Sequence, residues 1–236
     1  FLEMDDLEGL ASIDDSVAAV IVEPVQAEAG VIVPRPGFLT ALAQRCSETG
    51  TLLIFDEVIT GLGRTGKMFA LEHEAVRPDV LLLAKALGGG LPLGAFISSR
   101  QLMSTLAKDP ELGHVTTFGG HPLSAAAGLA SLEVIAEEGL VERAEAAGRL
   151  FEEMIDQRLA GPALEEVRRA GLLLGLVMDS AARVEAFVKE CRAEGLIIGW
   201  TLHDDRVVRL APPLVISNAE LDEASLRMQR ALVRTG

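Results

Sequence analysis

Lys85 and Asp56 stand out in the sequence as an amine and a carboxylate that could act together in a reaction. Lys85 follows the apolar run VLLLA and shortly precedes three consecutive glycines, and Asp56 ends the run LLIFD. A lysine in apolar surroundings loses charge stabilisation and can attack a carbonyl group as a neutral amine. A nearby carboxylate can hold a heterocyclic nitrogen protonated, and this pairing is what pyridoxal phosphate chemistry requires. Taken singly, each residue is as easily a strand-end lysine reaching water or a turn cap.

The elements that would position these residues are short apolar runs that alternate with helical patterns. Strands are predicted at 18–22, 52–55, 80–84 and 94–98, with a helix around 36–49. This rhythm is typical of βαβ units and predicts an α/β fold with a mostly parallel sheet and helices on both faces. The run before Lys85 is typical of a strand buried on both faces. Because ligands of open α/β sheets bind at the carboxyl ends of strands, Asp56 and Lys85 are expected to share a site.

A smaller α+β unit is predicted for the rest of the chain, so the expected domains are residues 1–137 and 138–236. Helices are predicted at 122–137, 141–159 and 181–194, and strands at 172–179, 196–200 and 206–211. Ser217 and Glu220 have the form of a capping box that opens a final helix.

Composition and charge exclude several classes of protein. The formal charge of −14 argues against a sequence-independent nucleic-acid binder, which needs clustered Lys and Arg. No run of 18 apolar residues and no charged-then-apolar leader is present, so we expect a cytoplasmic protein with no membrane partner. Cys46 and Cys191 lie in helical patterns and are expected to be buried free thiols. The histidines lack the spacing of metal ligands, so no metal site is assigned.

The segment GLGRTGK, residues 61–67, has two alternative interpretations. It fits the phosphate loop of nucleotide hydrolases, but Met68 stands where a hydroxyl must ligate magnesium, and the acidic run LLIFDE precedes the loop. It also spells the dinucleotide-binding pattern GxGxxG, without an acidic residue about 20 positions further on. A P-loop-like nucleotide-binding protein is the alternative function.

Five blocks of sequence resemble, in order and spacing, the motif blocks of class III aminotransferases. They are VEPVQAEAGV, FDEVITGLGRTGK, RPDVLLLAKALGGGLPLGA, TTFGGHPLSAAAG and VVRLAPPLVI. That family comprises pyridoxal-phosphate enzymes of fold type I, including ornithine, acetylornithine and 4-aminobutyrate aminotransferases. The resemblance implies part of a fold type I large domain followed by the small C-terminal domain. It also implies a homodimeric transferase that moves an amino group, expected to be a terminal one, from a small-molecule donor to a 2-oxo acid.

The resemblance assigns four residues to the cofactor, pyridoxal 5'-phosphate. Lys85 would bind it as a Schiff base and move the proton between the substrate Cα and the cofactor. Asp56 would pair with the pyridine nitrogen, and Ile59 would contact the ring. Thr117, in the TFGG block, resembles the residue that reaches the cofactor phosphate of the partner subunit.

Two further residues are assigned to the substrate. Arg209 would bind the substrate carboxylate, and Glu28 matches the glutamate that covers this arginine in one half-reaction and leaves it in the other. Without the resemblance, Glu28 and Arg209 would be an ordinary ion pair. Ile59 stands where many members carry Gln, and His121 replaces the usual Asn of GGNP, so the subgroup stays open.

Family members are longer than this chain. Their preceding half carries the helix N-terminus that cradles the phosphate and an aromatic residue stacked on the pyridine, and neither has a counterpart here. We therefore expect residues 1–236 to be a piece of a longer protein that has no transamination activity alone. The strand AAVIV, at 18–22, would then be an exposed sheet edge that favours self-association.

Overall fold

The computed structural model of the chain describes residues 1–111 and 113–235. It divides into two compact units that interleave in sequence. The first unit comprises Phe1–Pro24, Pro34–Leu62 and Phe69–Glu138, and the second comprises Val25–Val33, Gly63–Met68 and Gly139–Gly236. Two short segments from the N-terminal half thus belong to the C-terminal unit. The domain boundary after residue 137 stays a prediction for the whole protein.

The first unit contains a four-stranded mixed sheet. Its strands are β1 (Ala19–Val22), β2 (Leu52–Asp56), β3 (Val80–Leu83) and β4 (Ala95–Ser98), and its helices are α1 (Phe38–Thr49), α2 (Arg100–Met103) and α3 (Pro122–Glu137). Short 3₁₀ helices occupy Gly9–Ser12, Ala70–His73, Lys85–Gly88 and Ser104–Ala107. The sheet order is β1-β2-β3-β4, with β1, β2 and β3 parallel and β4 antiparallel to β3.

The α/β architecture and the mostly parallel sheet are therefore confirmed, with one difference in the connections. An α-helix joins β1 to β2, but the connection from β2 to β3 contains only the 3₁₀ helix Ala70–His73. Parallel strands need a crossover, and an irregular segment of sufficient length supplies it here without an α-helix. The β4 strand follows β3 through the glycine-rich turn and pairs beside it as a hairpin partner.

The sheet of the first unit buries one face. Val20 and Leu53 lie on the face that packs with Phe38 and Leu42 of α1. On the other face, Ile21 is 61% exposed. The expectation that the β3 run is buried on both faces is wrong for this unit, because only its last residue, Leu83, is buried. The described residues therefore cover this apolar run only in part.

The second unit is an antiparallel sheet packed against three helices. Its elements are α4 (Leu140–Arg158), β5 (Leu164–Ala170), β6 (Leu173–Met178), α5 (Ala181–Ala193), β7 (Gly199–Trp200), β8 (Val207–Leu210) and α6 (Asn218–Val233). The strand order is β5-β6-β8-β7. Every residue of β6 is buried, and Leu174 and Leu176 pack in one cluster with residues of the three helices, including Phe151, Phe187 and Leu221. The predicted capping box is confirmed, because Ser217 and Glu220 exchange side-chain and backbone hydrogen bonds at the start of α6.

Both cysteines are buried free thiols, as predicted. Burial raises the pKa of the Cys191 thiol to about 12, so it carries almost no reactive thiolate at neutral pH. Within residues 1–111 and 113–235, no helix is both long and apolar enough to cross a membrane.

Candidate active site

Lys85 begins the 3₁₀ helix that follows β3, and its backbone is unusual. Its φ is +46°, a left-handed conformation that residues with a side chain rarely adopt. Such backbone strain persists only where surrounding structure holds it, and it occurs often at functional sites. The side chain is exposed and forms no salt bridge within the described part of the chain. The expectation of apolar surroundings for Lys85 is wrong for this unit.

Two close backbone approaches hold the Lys85 segment against α3. A Cβ on Gly89 would lie 2.5 Å from the carbonyl oxygen of Ala127, and a Cβ on Gly128 would lie 2.7 Å from that of Leu87. Only glycine leaves room for these contacts. Gly89 therefore packs the segment that follows Lys85 against a helix.

Asp56 lies at the carboxyl end of β2, next to the strand that leads to Lys85. Its partner in the parallel register is Leu82, three residues before the lysine. One carboxylate oxygen, Oδ1, accepts a hydrogen bond from the Val58 amide at 3.0 Å. Among the described residues, the other oxygen has no partner. The structure thus brings the chain positions of Asp56 and Lys85 to the same edge of the sheet.

Glu57, the residue after Asp56, is buried and was not identified from the sequence. Its carboxylate accepts hydrogen bonds from the amides of Ala70 at 2.6 Å and Leu71 at 2.9 Å, and from the Thr60 hydroxyl at 3.1 Å. Burial raises the pKa of this carboxyl despite these donors. Glu57 therefore anchors the turn that follows Asp56. The signal in the sequence is the second acidic residue at the end of the strand. Asp56 alone would supply the carboxylate expected at the sheet edge, so Glu57 needs a different role.

Ile59 and Thr117 lie in turns of the first unit. Ile59 is half-buried in the turn anchored by Glu57. Thr117 is exposed in the segment before α3, beside Phe118, which is 77% exposed. Thr117 forms no hydrogen bond within residues 1–111 and 113–235, and the structure does not join it to Asp56 or Lys85.

Glu28 and Arg209 meet in the second unit, although they are far apart in sequence. Arg209, on β8, donates from Nη1 to Glu28 Oε1, and both side chains are about three-quarters buried. The backbone of Glu28 is held separately, because its carbonyl oxygen accepts from the His203 amide at 3.0 Å. The pair predicted from the sequence is therefore present as a contact.

Most of the GLGRTGK segment, from Gly63 onward, packs within the second unit. Arg64 donates from Nη1 to the carbonyl oxygens of Leu172 at 2.9 Å and Pro212 at 2.6 Å. Burial lowers the pKa of its guanidinium to about 10. A four-residue 3₁₀ helix follows the segment, whereas a phosphate loop leads into an α-helix. The structure gives no support to the nucleotide-binding alternative.

Comparisons with known proteins agree with this arrangement. Residues 2–232 match the family model of class-III aminotransferases. Among solved structures, ornithine aminotransferase from Toxoplasma gondii is 38% identical with a TM-score of 0.91, over 99% of this chain and 55% of that one. Ornithine aminotransferase from Plasmodium yoelii is 36% identical with a TM-score of 0.92, over 100% and 62%. Acetylornithine aminotransferase from Elizabethkingia anophelis is 36% identical with a TM-score of 0.89, over 99% and 59%.

Proposed function

The chain belongs to the class III aminotransferases, and from that premise we propose that the whole protein moves an amino group from a terminal-amine donor to a 2-oxo acid. The observation that carries this proposal is the placement of Asp56 and Lys85 at the carboxyl ends of two adjacent parallel strands. The chain spans 55–62% of the length of the solved relatives it matches. The activity is therefore assigned to the whole protein.

Class III aminotransferases depend on pyridoxal phosphate, and the residues at this edge fit that cofactor. Asp56 has a carboxylate oxygen without a partner among the described residues, as a group that binds a protonated ring nitrogen requires. Lys85 has an exposed amine without a salt bridge in the same part of the chain. When bound, the cofactor supplies an electron sink for negative charge at the substrate Cα.

The chain's own residues then have separate tasks. Lys85 would hold the cofactor through Nζ, and the same amine, once free, would accept the proton from the substrate Cα; its left-handed backbone sets where the side chain begins. Asp56 holds the proton on the ring nitrogen. Ile59 provides an apolar contact to the ring, and Glu57 keeps the turn carrying Ile59 in place through its three hydrogen bonds.

The donor class is inferred from Glu28 and Arg209. An arginine left unpaired in a mostly buried position is costly, so Glu28 covers it when the substrate offers no carboxylate there. A substrate with a carboxylate beside its amine takes the place of Glu28 on Arg209. A terminal amine reacts with the pair intact. Glu28→Ala is expected to shift preference toward α-amino acids, and unchanged preference would mean that the pair is only structural.

Thr117 is assigned to the cofactor phosphate of a partner subunit in a homodimer. Its exposure and its lack of a hydrogen-bond partner within the described residues support this role. Thr117→Ala in the whole protein is expected to weaken cofactor binding, because a hydrogen bond to a charged group contributes about 1.5–3 kcal/mol. A cytoplasmic location is part of the same proposal.

Residues 1–236 by themselves are expected to lack transamination and to self-associate. The half-exposed sheet face and the edge position of β1 leave apolar residues such as Ile21 in contact with water. Turnover by a purified monomer of these residues alone would contradict this expectation.

The decisive experiment is Lys85→Ala in the whole protein. The absorbance band of the lysine-bound cofactor and multiple turnover are both expected to disappear. Lys67→Ala is the matched control, because Lys67 is an exposed lysine of the GLGRTGK segment. Retained turnover in Lys85→Ala would refute the proposal. Magnesium-dependent nucleotide binding lost in Lys67→Ala would instead favour the alternative function.

A further inference from the structure

Four residues form one row across the sheet of the second unit. Arg168 on β5 pairs with Gly175 on β6, Gly175 pairs with Arg209 on β8, and Arg209 pairs with Gly199 on β7. Two arginines therefore flank a glycine in the middle of the sheet. Glycine in a strand interior weakens the strand and often marks a place where another backbone approaches closely.

The backbone that approaches Gly175 is the segment Val25–Val33, which carries Glu28. Gln26 and Ile32 pair as an antiparallel bridge, so this segment folds into a tight loop. A Cβ on Gly175 would lie 2.9 Å from Val31 Cβ and 3.1 Å from the Gly30 carbonyl oxygen. The missing side chain at Gly175 is thus what lets the Glu28 loop lie on the sheet.

Arg168 holds the same loop from the opposite side of Gly175. Its Nη1 donates to the Gly30 carbonyl oxygen at 2.9 Å, while its Nε donates to Glu166 at 3.0 Å. Gly30 has a φ of +115°, so it needs the glycine conformation at the point where Arg168 binds. The two arginines of the row bind different parts of this loop. Arg168 binds its backbone, and Arg209 binds the Glu28 carboxylate.

We propose that Arg168 and Gly175 are positioning residues that place the Glu28 carboxylate on Arg209 and so set the choice between terminal amines and α-amino acids. This inference rests on the proposed gate formed by Glu28 and Arg209. The backbone of the loop stays fixed by Arg168 and by the His203 amide, so the gate opens by rotation of the Glu28 side chain alone. A loosened loop lets the carboxylate leave Arg209 without a substrate to displace it, and discrimination falls.

The test uses the whole protein with its cofactor and compares matched substitutions. Arg168→Ala removes the bond to the loop, and Gly175→Ala adds a methyl group where the loop lies. Gly199→Ala is the control for the second change, because a Cβ there meets no atom within 4 Å. Arg206→Ala is the control for the first, because the Arg206 side chain pairs with Glu165 on β5 at the surface.

The first readout is the ratio of kcat/KM for the fastest of ornithine, acetylornithine and 4-aminobutyrate to that for glutamate. Arg168→Ala and Gly175→Ala are expected to shift this ratio about tenfold toward glutamate, which corresponds to about 1.4 kcal/mol. The second readout, taken without cofactor, is amide hydrogen exchange in residues 25–33, which is expected to rise in both variants. The controls leave both readouts at the wild-type level.

Combination with Glu28→Ala separates positioning from a general loss of structure. If Arg168 acts through Glu28, adding Arg168→Ala to Glu28→Ala leaves the substrate ratio unchanged. A wild-type ratio in Arg168→Ala, together with a shifted ratio in Glu28→Ala, would overturn this inference alone. An unshifted ratio in Glu28→Ala would overturn the gate and this inference with it. Should Arg168→Ala not fold, Arg168→Lys provides the same test, because an ammonium group lacks the fork that bridges Gly30 and Glu166.

Discussion

In the second unit β6 is buried along its whole length, whereas in the first unit β1 alternates exposed and half-buried residues. Alternate side chains of a strand point to opposite faces, so β6 is covered on both faces and β1 on only one. Leu174 and Leu176 of β6 pack against three helices, and the loop Val25–Val33 lies on the other face of the strand at Gly175. In the first unit, Ile21 has no such cover among the described residues.

The helices of the two units differ in the same way. In α4, buried residues such as Phe151 and Ile155 recur at helical spacing and face the core. In α3, Leu123 and Leu129 are each about 60% exposed, and the helix buries Ser124, Gly128 and Ile135. Apolar residues all around a helix are typical of one that is buried in a larger structure.

The two units therefore differ in how far their own residues cover their apolar surface. The second unit, with the proposed carboxylate gate, covers its central strand on both faces, although some side chains at its margins, such as Ile197 and Leu202, are exposed. The first unit, with Lys85, Asp56 and Thr117, presents apolar surface that its own residues do not cover. We expect residues outside this chain, or a second subunit, to cover that surface in the whole protein.

The largest expected effect is that of Gly148→Ala in α4. A Cβ at this position would overlap the Gly171 carbonyl oxygen, and the closed packing of the second unit leaves neither group room to move. We expect a loss beyond the roughly 1–3 kcal/mol typical of overpacking, enough to unfold the unit. Gly128→Ala in α3 is the comparison, because its Cβ would lie 2.7 Å from the Leu87 carbonyl oxygen, a smaller overlap than the one at Gly148.

Peptide-resolved amide hydrogen exchange of the whole protein checks this prediction, because it reports each unit separately. Protection in residues 139–235 is expected to collapse in Gly148→Ala. Gly128→Ala should lower protection only around residues 84–93 and 122–137. Equal effects of the two substitutions would mean that the first unit is packed as rigidly as the second.

The next effect is that of truncating a core leucine. Leu174→Ala removes a fully buried side chain of β6, and such a change costs about 2–5 kcal/mol. Ile21→Ala removes a side chain that is mostly exposed within its unit and should cost less than about 1 kcal/mol there. Urea unfolding followed by hydrogen exchange measures both, in the whole protein and in residues 1–236 at a concentration low enough to keep them monomeric. A large loss in Ile21→Ala of the whole protein, absent from residues 1–236, would show that further chain covers β1.

A smaller effect is expected for Glu57→Gln. An amide has one acceptor oxygen and a donor group, so one of the Ala70 and Leu71 amides loses its partner. An unsatisfied buried amide costs about 1–3 kcal/mol, and removal of the buried charge offsets part of this. Glu72→Gln is the control, because its remaining oxygen still accepts from the Phe69 amide. A wild-type unfolding midpoint in Glu57→Gln would contradict the anchoring role.

The smallest effect is a pH response of opposite sign in the two units. Burial raises the pKa of Glu57 above 4.5, so its ionised form destabilises the first unit at neutral pH, and this penalty is relieved as the pH falls toward 4.5. Hydrogen bonds from Ser217 lower the pKa of Glu220 below 4.5, so its stabilisation of α6 is present above 4.5 and lost below it. Hydrogen exchange in each unit between pH 7 and pH 3 checks both signs.

Ser217→Ala provides the control for the predicted loss of α6 stability at low pH. It removes the hydroxyl that bonds to Glu220, so α6 should lose part of its acid sensitivity together with the capping stabilisation. An unchanged pH profile of α6 in this variant would assign the acid response to other carboxylates, such as Glu194 with its arginine partners.

Most elements could be predicted from the sequence, because their signals are local. The helix at 36–49 and the strand at 52–55 were found within two residues of α1 and β2, since apolar spacing and the glycine after α1 mark their limits. β5, Leu164–Ala170, was not predicted, because its sequence LEEVRRA has only a weak alternation. Its pairing with β6 depends on a turn and on long-range register.

Periodicity, capping and strand direction are properties of neighbouring residues, so the helices, the parallel strands and the common edge of Asp56 and Lys85 could be predicted from the sequence. The contact of Glu28 with Arg209 entered through resemblance to a family. The burial of Glu57, the exposure and strained backbone of Lys85, and the contact of Arg168 with the Glu28 loop over Gly175 become visible only in the folded chain. These features depend on which distant segments meet, and burial and register between such segments leave no local pattern in the chain.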